Sequence, residues 1–297
     1  MAMRVVEDAL TCAEWEALCD LTFAPLQQRW AYGETVQKMG GTVCRLALYD
    51  STRPVAFAQV LLRRIGWRIA LVTRGPVWLE AASTADRGAA YECLRRKLRE
   101  MGVRMIIVTP EEDAKPPIGH AIMTPSTVAH LTLHDDMRET LHGKWRNRLV
   151  RAEDAKCGFD RLTRRSKAHD WLYFQERKQR RLRGYKGLPR LFAETWFQVP
   201  SAKVLTFVDT SPRPNAGMMF LRHGTTATYH LGWTNDAGRA RSLHTFMLWQ
   251  AMRDLYLQGV NVIDLGLLDT ERAPGLARFK LGTGAAARRL GPTTLLL

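Results

Sequence analysis

The segment Ala202–Trp233, AKVLTFVDTSPRPNAGMMFLRHGTTATYHLGW, reads as three strands joined by two turns. Ala202–Asp209 and Ala216–Arg222 are short runs rich in apolar and β-branched residues, separated by the proline-rich turn Thr210–Asn215. Gly224 then breaks the chain before Thr225–Trp233. Working outward, apolar spacing over Arg239–Gln258 predicts a helix closed by Gly259, followed by a strand at Val260–Gly266. The same order occurs upstream. Strands at Val43–Asp50 and Val55–Arg64 flank a turn at Ser51–Pro54, and Gly66 breaks into a strand at Trp67–Thr73. A helix over Thr84–Met101 then ends at Gly102, ahead of a strand at Val103–Thr109. Val43 to Gly102 covers 59 positions and Val204 to Gly259 covers 55, so the pattern is a repeat. Hairpin-connected strands pair antiparallel, whereas a helical crossover brings the next strand in parallel. The expected fold class is therefore α/β with mixed sheets, α+β in character, in two copies. The first domain is placed at residues 1–136, with Val128–Leu133 as one of its strands, and the second at 137–297.

A chain of 297 residues suits two domains at about 150 residues each. With 46% hydrophobic residues and 9 tryptophans it can bury a core, which excludes disordered and collagen-like classes. Lysine and arginine number 44 against 29 acids, a net charge of +15. Nucleic acid, phosphorylated substrates and anionic lipid are the partners such a surplus suits. Most of it is local: from Arg138 to Arg190 there are 17 basic and 6 acidic residues. This segment reads as a basic helical insert, residues 137–197, with helices at Met137–Lys156, Lys167–Arg183 and Leu188–Phe197. Five cysteines without a C-x-x-C pair suit a reducing, cytoplasmic setting rather than a disulfide framework or a zinc site. His130 and His134 share a strand face but lack a further spaced ligand, so no metal is expected. No secretory signal is read in residues 1–30. No apolar run approaches the ~18–20 residues of a membrane span, which leaves peripheral contact as the only membrane association expected.

The most specific content lies between Tyr229 and Leu281. A long helix ends at Gly259, a strand carries Asp264-Leu265-Gly266, and the pair Phe279-Lys280 precedes Gly282. In order and spacing this resembles the FemABX family, peptidyltransferases that move amino acids from aminoacyl-tRNA onto peptidoglycan precursors. The resemblance extends from about Val43 onward. It implies two tandem GNAT-like acyltransferase domains, with a helical arm inserted in the second. It also implies that Lys280, with Phe279, holds the tRNA terminus or the negative charge that develops on transfer. Thr283 stands where the family often has an aromatic residue.

The chemistry suits the residues. An aminoacyl ester is already activated, so transfer to an amine needs alignment and oxyanion stabilisation more than an enzyme nucleophile. Lys280 precedes Gly282-Thr283-Gly284, expected to be flexible, and Asp264 could orient the amine or accept its proton. Tyr229 and Trp233, expected on one strand face with Leu231, are candidate donor-binding residues, with His230 on the other face as a proton shuttle. Packing alone is the competing account of the aromatics, and a capped turn that of Asp264. Lys144-Trp145-Arg146-Asn147-Arg148 places cations around an aromatic, a pattern suited to phosphate contact and base stacking. Arg177, Lys178, Arg180, Arg181, Arg183 and Lys186 form the basic run expected to bind tRNA, a solvated face being the alternative.

Aminoacyl-tRNA is the expected co-substrate, with no resident cofactor. Acetyl-CoA is the weaker candidate, because the R/Q-x-x-G-x-G/A loop that cradles its pyrophosphate in GNAT domains is absent. Its places are Ser83–Gly88 in the first copy and Asp236–Arg241 in the second, which retains one glycine. The leading expectation is an aminoacyl-tRNA-dependent aminoacyltransferase acting on an amine of a peptide, peptidoglycan precursor or small molecule. An acyl-CoA-dependent N-acyltransferase of the same architecture, and a non-catalytic RNA-binding protein on this scaffold, are the alternatives.

Overall fold

The computed structural model describes residues 3–79 and 83–296. From the N terminus run β1 (Met3–Glu7), α1 (Cys12–Thr22), α2 (Trp30–Lys38), β2 (Thr42–Asp50), β3 (Arg53–Ile65), β4 (Trp67–Thr73) and β5 (Val77–Trp78). Next come α3 (Thr84–Glu100), β6 (Val103–Thr109), β7 (His120–Met123), β8 (Thr127–Thr132), α4 (Met137–Thr140), α5 (Gly143–Asp154) and β9 (Phe159–Leu162). The chain continues through α6 (Lys167–Arg183), α7 (Arg190–Trp196), β10 (Lys203–Asp209), β11 (Ala216–His223) and β12 (Thr226–Thr234). It ends with α8 (Asp236–Ala240), α9 (Leu243–Leu257), β13 (Val262–Leu267), α10 (Pro274–Leu281), β14 (Ala286–Arg289) and β15 (Thr293–Leu296).

Both repeats form mixed sheets. In the first the strand order is β1-β2-β3-β4-β6-β15-β7, with β5 beside β3; in the second it is β14-β8-β13-β12-β11-β10-β9. Strand pairing moves the expected boundary. The strand anticipated at Val128–Leu133 is present, but it pairs with β13 in the second sheet, and β15 returns to pair with β6 in the first. The two compact units are accordingly Met1–Thr127 with Arg288–Leu297, and Val128–Ala287.

Local chemistry sets the helix ends. Ser83 and Asp86 form a reciprocal capping box at the start of α3, and Gly102 leaves its end at φ +77°. Gly184 closes α6 in the same left-handed region, at φ +67°. Two helices expected to be continuous are broken. Ser242, at φ +54°, separates α8 from α9, and the extended Leu141 and His142 separate α4 from α5.

In the second unit α5 and α9 cover one face of the sheet. Trp145, Leu149, Met247, Leu248 and Met252 pack there against Phe207, Met218 and Phe220. The opposite face carries α6: Trp171 meets Trp233, and a Cβ at Gly217 would press on Leu172. In the first unit Leu94 and Leu98 of α3 pack with Leu46, Leu48 and Val60 of the sheet, while Trp15 of α1 packs on Phe57.

Candidate active site

The parallel strand pair differs between the copies. In the first unit β4 and β6 stay paired from Arg68–Val103 to Thr73–Thr109. In the second unit β12 and β13 pair only from Thr226–Val262 to Thr228–Asp264, although both strands continue. Two local features open them. On β12 the register with β11 slips: Phe220 faces Tyr229, and Met219 faces Leu231, so His230 is an extra residue in a bulge. On β13 the Asp264 carboxylate accepts the Gly266 N–H at 2.7 Å, with Gly266 at φ +78°, and the pairing of β13 with β8 shifts at the same place. A side chain has taken a donor that strand pairing would otherwise use.

Lys280 reaches this point of separation. From α10 its Nζ donates to the Leu267 carbonyl at 2.7 Å and lies 3.8 Å from where a Cβ of Gly266 would be. Only 5% of the residue is exposed. Burial pushes its ammonium down to about 8, and the Asp264 carboxylate opposes that fall. Asp264 is buried as well, and His130, its cross-strand partner on β8, brings Nε2 to 3.8 Å from Oδ2. Among the described residues no group of three or more His, Cys, Asp or Glu side chains could hold a metal ion; His130 meets Asp264, and His134 lies beyond the end of β8.

Aromatic rings surround the lysine's helix. Phe279 lies 6.2 Å from Trp145 and 6.3 Å from His244, measured between ring centroids. His244, in the first turn of α9, sets Nε2 2.9 Å from the Trp233 carbonyl and 3.3 Å from that of Gly217. Burial holds its imidazole down at about 4, so near pH 7 it is neutral and its Nε2–H serves these carbonyls. The segment expected to be flexible after Lys280 is tightly packed. Thr283 is fully buried and donates to the Lys280 carbonyl at 2.6 Å, and a Cβ at Gly282 would strike Trp145 at 2.7 Å.

Several expected groupings dissolve. The bulge places Tyr229 on the Phe220 side of the sheet, whereas Leu231 and Trp233 take the other, so the shared face is lost. Tyr229 remains on the face that carries α9, its hydroxyl lying over Gly232, where any Cβ would overlap it. His230 packs near Phe192, and burial holds it at about 4. Trp145 is 3% exposed, with its indole N–H on the Phe279 carbonyl at 3.1 Å, so its ring is core and leaves no face for a base. Lys144, Arg146 and Arg148 are exposed around it, Arg146 donating to the carbonyls of Glu139 and Leu141. Arg180 departs from the basic run. It binds the buried Glu176 at 2.5 Å and the carbonyls of Gly187 and Leu188, holding the turn after α6. Arg177, Lys178, Arg181, Arg183 and Lys186 are exposed.

The model of the acetyltransferase (GNAT) domain matches residues 135–287, just over half of the chain. The chain belongs to the GNAT family. No curated protein matches it in sequence. Among solved structures, FemX is similar over 96% of both chains, with a TM-score of 0.74 and 11% identity. A tandem GNAT protein from the clavulanic acid biosynthesis pathway is similar over 99% of this chain and 97% of its own (TM-score 0.57, 12% identity). The C-terminal domain of a putative lysylphosphatidylglycerol synthetase from Agrobacterium fabrum covers 94% and 91% (TM-score 0.52, 14% identity). At these identities the likeness is one of fold.

Within the matched GNAT unit, the stretch ahead of α9 is the short helix α8, which uses its own polar groups. Asn235 accepts the Gly238 N–H at 2.9 Å, and Asp236 pairs with Arg239. Gly238 is a packing glycine: a Cβ there would overlap Thr234 and stand 2.5 Å from the Asn215 carbonyl.

Proposed function

We propose that the second GNAT unit transfers an aminoacyl group from aminoacyl-tRNA to an amine of a peptide, a peptidoglycan precursor or a small molecule. The amine nitrogen attacks the ester carbonyl, a C–N bond forms, and the C–O bond to the ribose breaks. The nitrogen loses a proton and the ribose oxygen gains one. In this reading protonated Lys280 stabilises the tetrahedral oxyanion, Asp264 takes the amine's proton, and His130 positions Asp264. Phe279 and Tyr229 form the apolar wall for the donor end. Arg177, Lys178, Arg181, Arg183 and Lys186, with Lys144, Arg146 and Arg148, contact tRNA phosphates.

The observation that carries the choice of donor is the short helix α8, which takes the place of a pyrophosphate loop. An acyl-CoA pyrophosphate needs a loop of open backbone amides there, whereas Asp236–Ala240 is helical and its Gly238 amide is taken by the N-cap Asn235. The likeness to FemX, and to a putative synthetase named for a lysyl-bearing lipid, is consistent with an aminoacyl donor. The second reading, an acyl-CoA-dependent N-acyltransferase acting on a related amine, is favoured by the family's acetyltransferase description and the likeness to a tandem GNAT protein.

The test supplies charged tRNA with candidate amines, and acetyl-CoA with the same amines. Release of deacylated tRNA only in the presence of an amine is the expected result. Turnover with acetyl-CoA alone overturns it in favour of the second reading. RNA binding without turnover of either donor would assign the scaffold a non-catalytic role. Lys280→Ala should cut transfer by about 10²–10³ and leave tRNA affinity largely intact.

A further inference from the structure

The β3–β4 hairpin carries residues 63–68 into solvent, every one of them exposed. Gly66 alone turns the corner at φ +73°, and a Cβ built there meets nothing within 4 Å. Ile65 and Trp67 face each other at the apex, 69% and 49% exposed. One step below, Arg64 stands directly opposite Arg68, and Arg63 opposite Ile69. No acidic residue occurs anywhere from Arg53 to Leu79. Arg68 donates to the Met101 carbonyl, a neutral acceptor.

This arrangement is unfavourable in water alone. Like charges directly opposite across a strand pair repel, and two large apolar side chains at a tip contribute nothing to a core. A surface that supplies both negative charge and an apolar layer satisfies both. We propose that this hairpin tip docks the protein on an anionic lipid surface. Ile65 and Trp67 enter the boundary between headgroups and acyl chains, and Arg63, Arg64 and Arg68 meet the lipid phosphates. Tryptophan suits that boundary because its ring is apolar and its N–H is polar. The aliphatic Ile65 distinguishes lipid from nucleic acid, whose bases stack on aromatic faces. The proposal is independent of the transfer chemistry.

The full-length protein is floated with vesicles of phosphatidylcholine containing about 30% phosphatidylglycerol, and with vesicles of phosphatidylcholine alone. Binding to the anionic vesicles only is expected. The double variant Ile65→Ser/Trp67→Ser keeps the charge, so a basic protein's general attraction to the vesicles is unchanged. Its affinity should nevertheless fall by about tenfold or more, because apolar insertion is lost. Both side chains are exposed, so thermal melting should not change. Leu257→Ser, at a still more exposed position on α9, should bind as the parent does. Equal vesicle affinity of the double variant and the parent overturns the proposal, as does equal binding of the parent to neutral vesicles. Loss of RNA affinity in the double variant with vesicle binding retained assigns the tip to nucleic acid and overturns it as well.

Discussion

Lys280 lies where burial and charge oppose each other. Its ammonium titrates near 8 in the folded protein, against an ordinary value of 10.5. The charged form, which the proposed oxyanion contact requires, is present below about 8 and lost above it. The transfer rate should therefore fall as pH rises through about 8, and Lys280→Ala should cost about 10²–10³ in rate if the contact resembles other oxyanion donors. Asp264→Asn keeps an oxygen for the Gly266 N–H but removes both the proton acceptor and the charge that holds the lysine up, so the rate should fall and the alkaline limb of the residual rate should move to lower pH. Stability has its own sign. The unfolded chain binds the lysine proton more tightly, so between about 8 and 10.5 it carries more protons and stability rises with pH across that window. Chemical denaturation of the parent and Lys280→Met over this range checks it: the slope should be smaller in the variant. Lys280 and Asp264 were legible as candidates because one is a lysine in an arginine-rich chain and the other a carboxylate on an apolar strand. His130 was considered only as a metal ligand and His244 was not singled out, because register and helix start, not spacing, bring them to Asp264 and Phe279.

At the scale of elements, one of the two features that open β12 from β13 is a single inserted residue. Perfect alternation would put Tyr229 and Trp233 on the same face; the bulge at His230 sends them to opposite faces. Gly232 then becomes obligatory beneath the Tyr229 hydroxyl. Gly232→Ala should destabilise the protein by about 1–3 kcal/mol in urea unfolding, through overpacking. Adding Tyr229→Phe, which removes the overlapping oxygen, should recover part of that loss. Full additivity of the two changes would show that they do not touch. A bulge has no dependable signature in composition, since the extra residue is defined only by the partner strand.

At the scale of the molecule, the surplus of +15 resolves into surfaces of different kinds. On α6 the exposed Arg177, Lys178, Arg181 and Arg183 are separable from Arg180, whose charge is spent inside on Glu176. Reversing the exposed four to glutamate should weaken RNA binding and flatten its dependence on salt, as fewer counterions are released. Arg180→Ala should instead lower the melting temperature, because it strips a buried carboxylate of its partner. If both variants lose only stability, the α6 surface is a solvated face.

Length, turn residues and apolar runs were enough to reveal the duplication and its mixed sheets, because those signals are local or additive along the chain; the strand β9 inside the segment read as a helical insert was not among them. Strand partners are not local. That β8 joins the second sheet and β15 the first, and that one parallel pair is closed while its copy is open, follows from contacts between residues far apart in sequence. Chemistry-bearing residues could be read as candidates from their type and spacing. Burial decided which of them could act: it lowered Lys280 toward neutrality, placed Trp145 in the core and turned Arg180 inward, since the cost of removing charge and ring from water is set by the neighbours tertiary packing supplies.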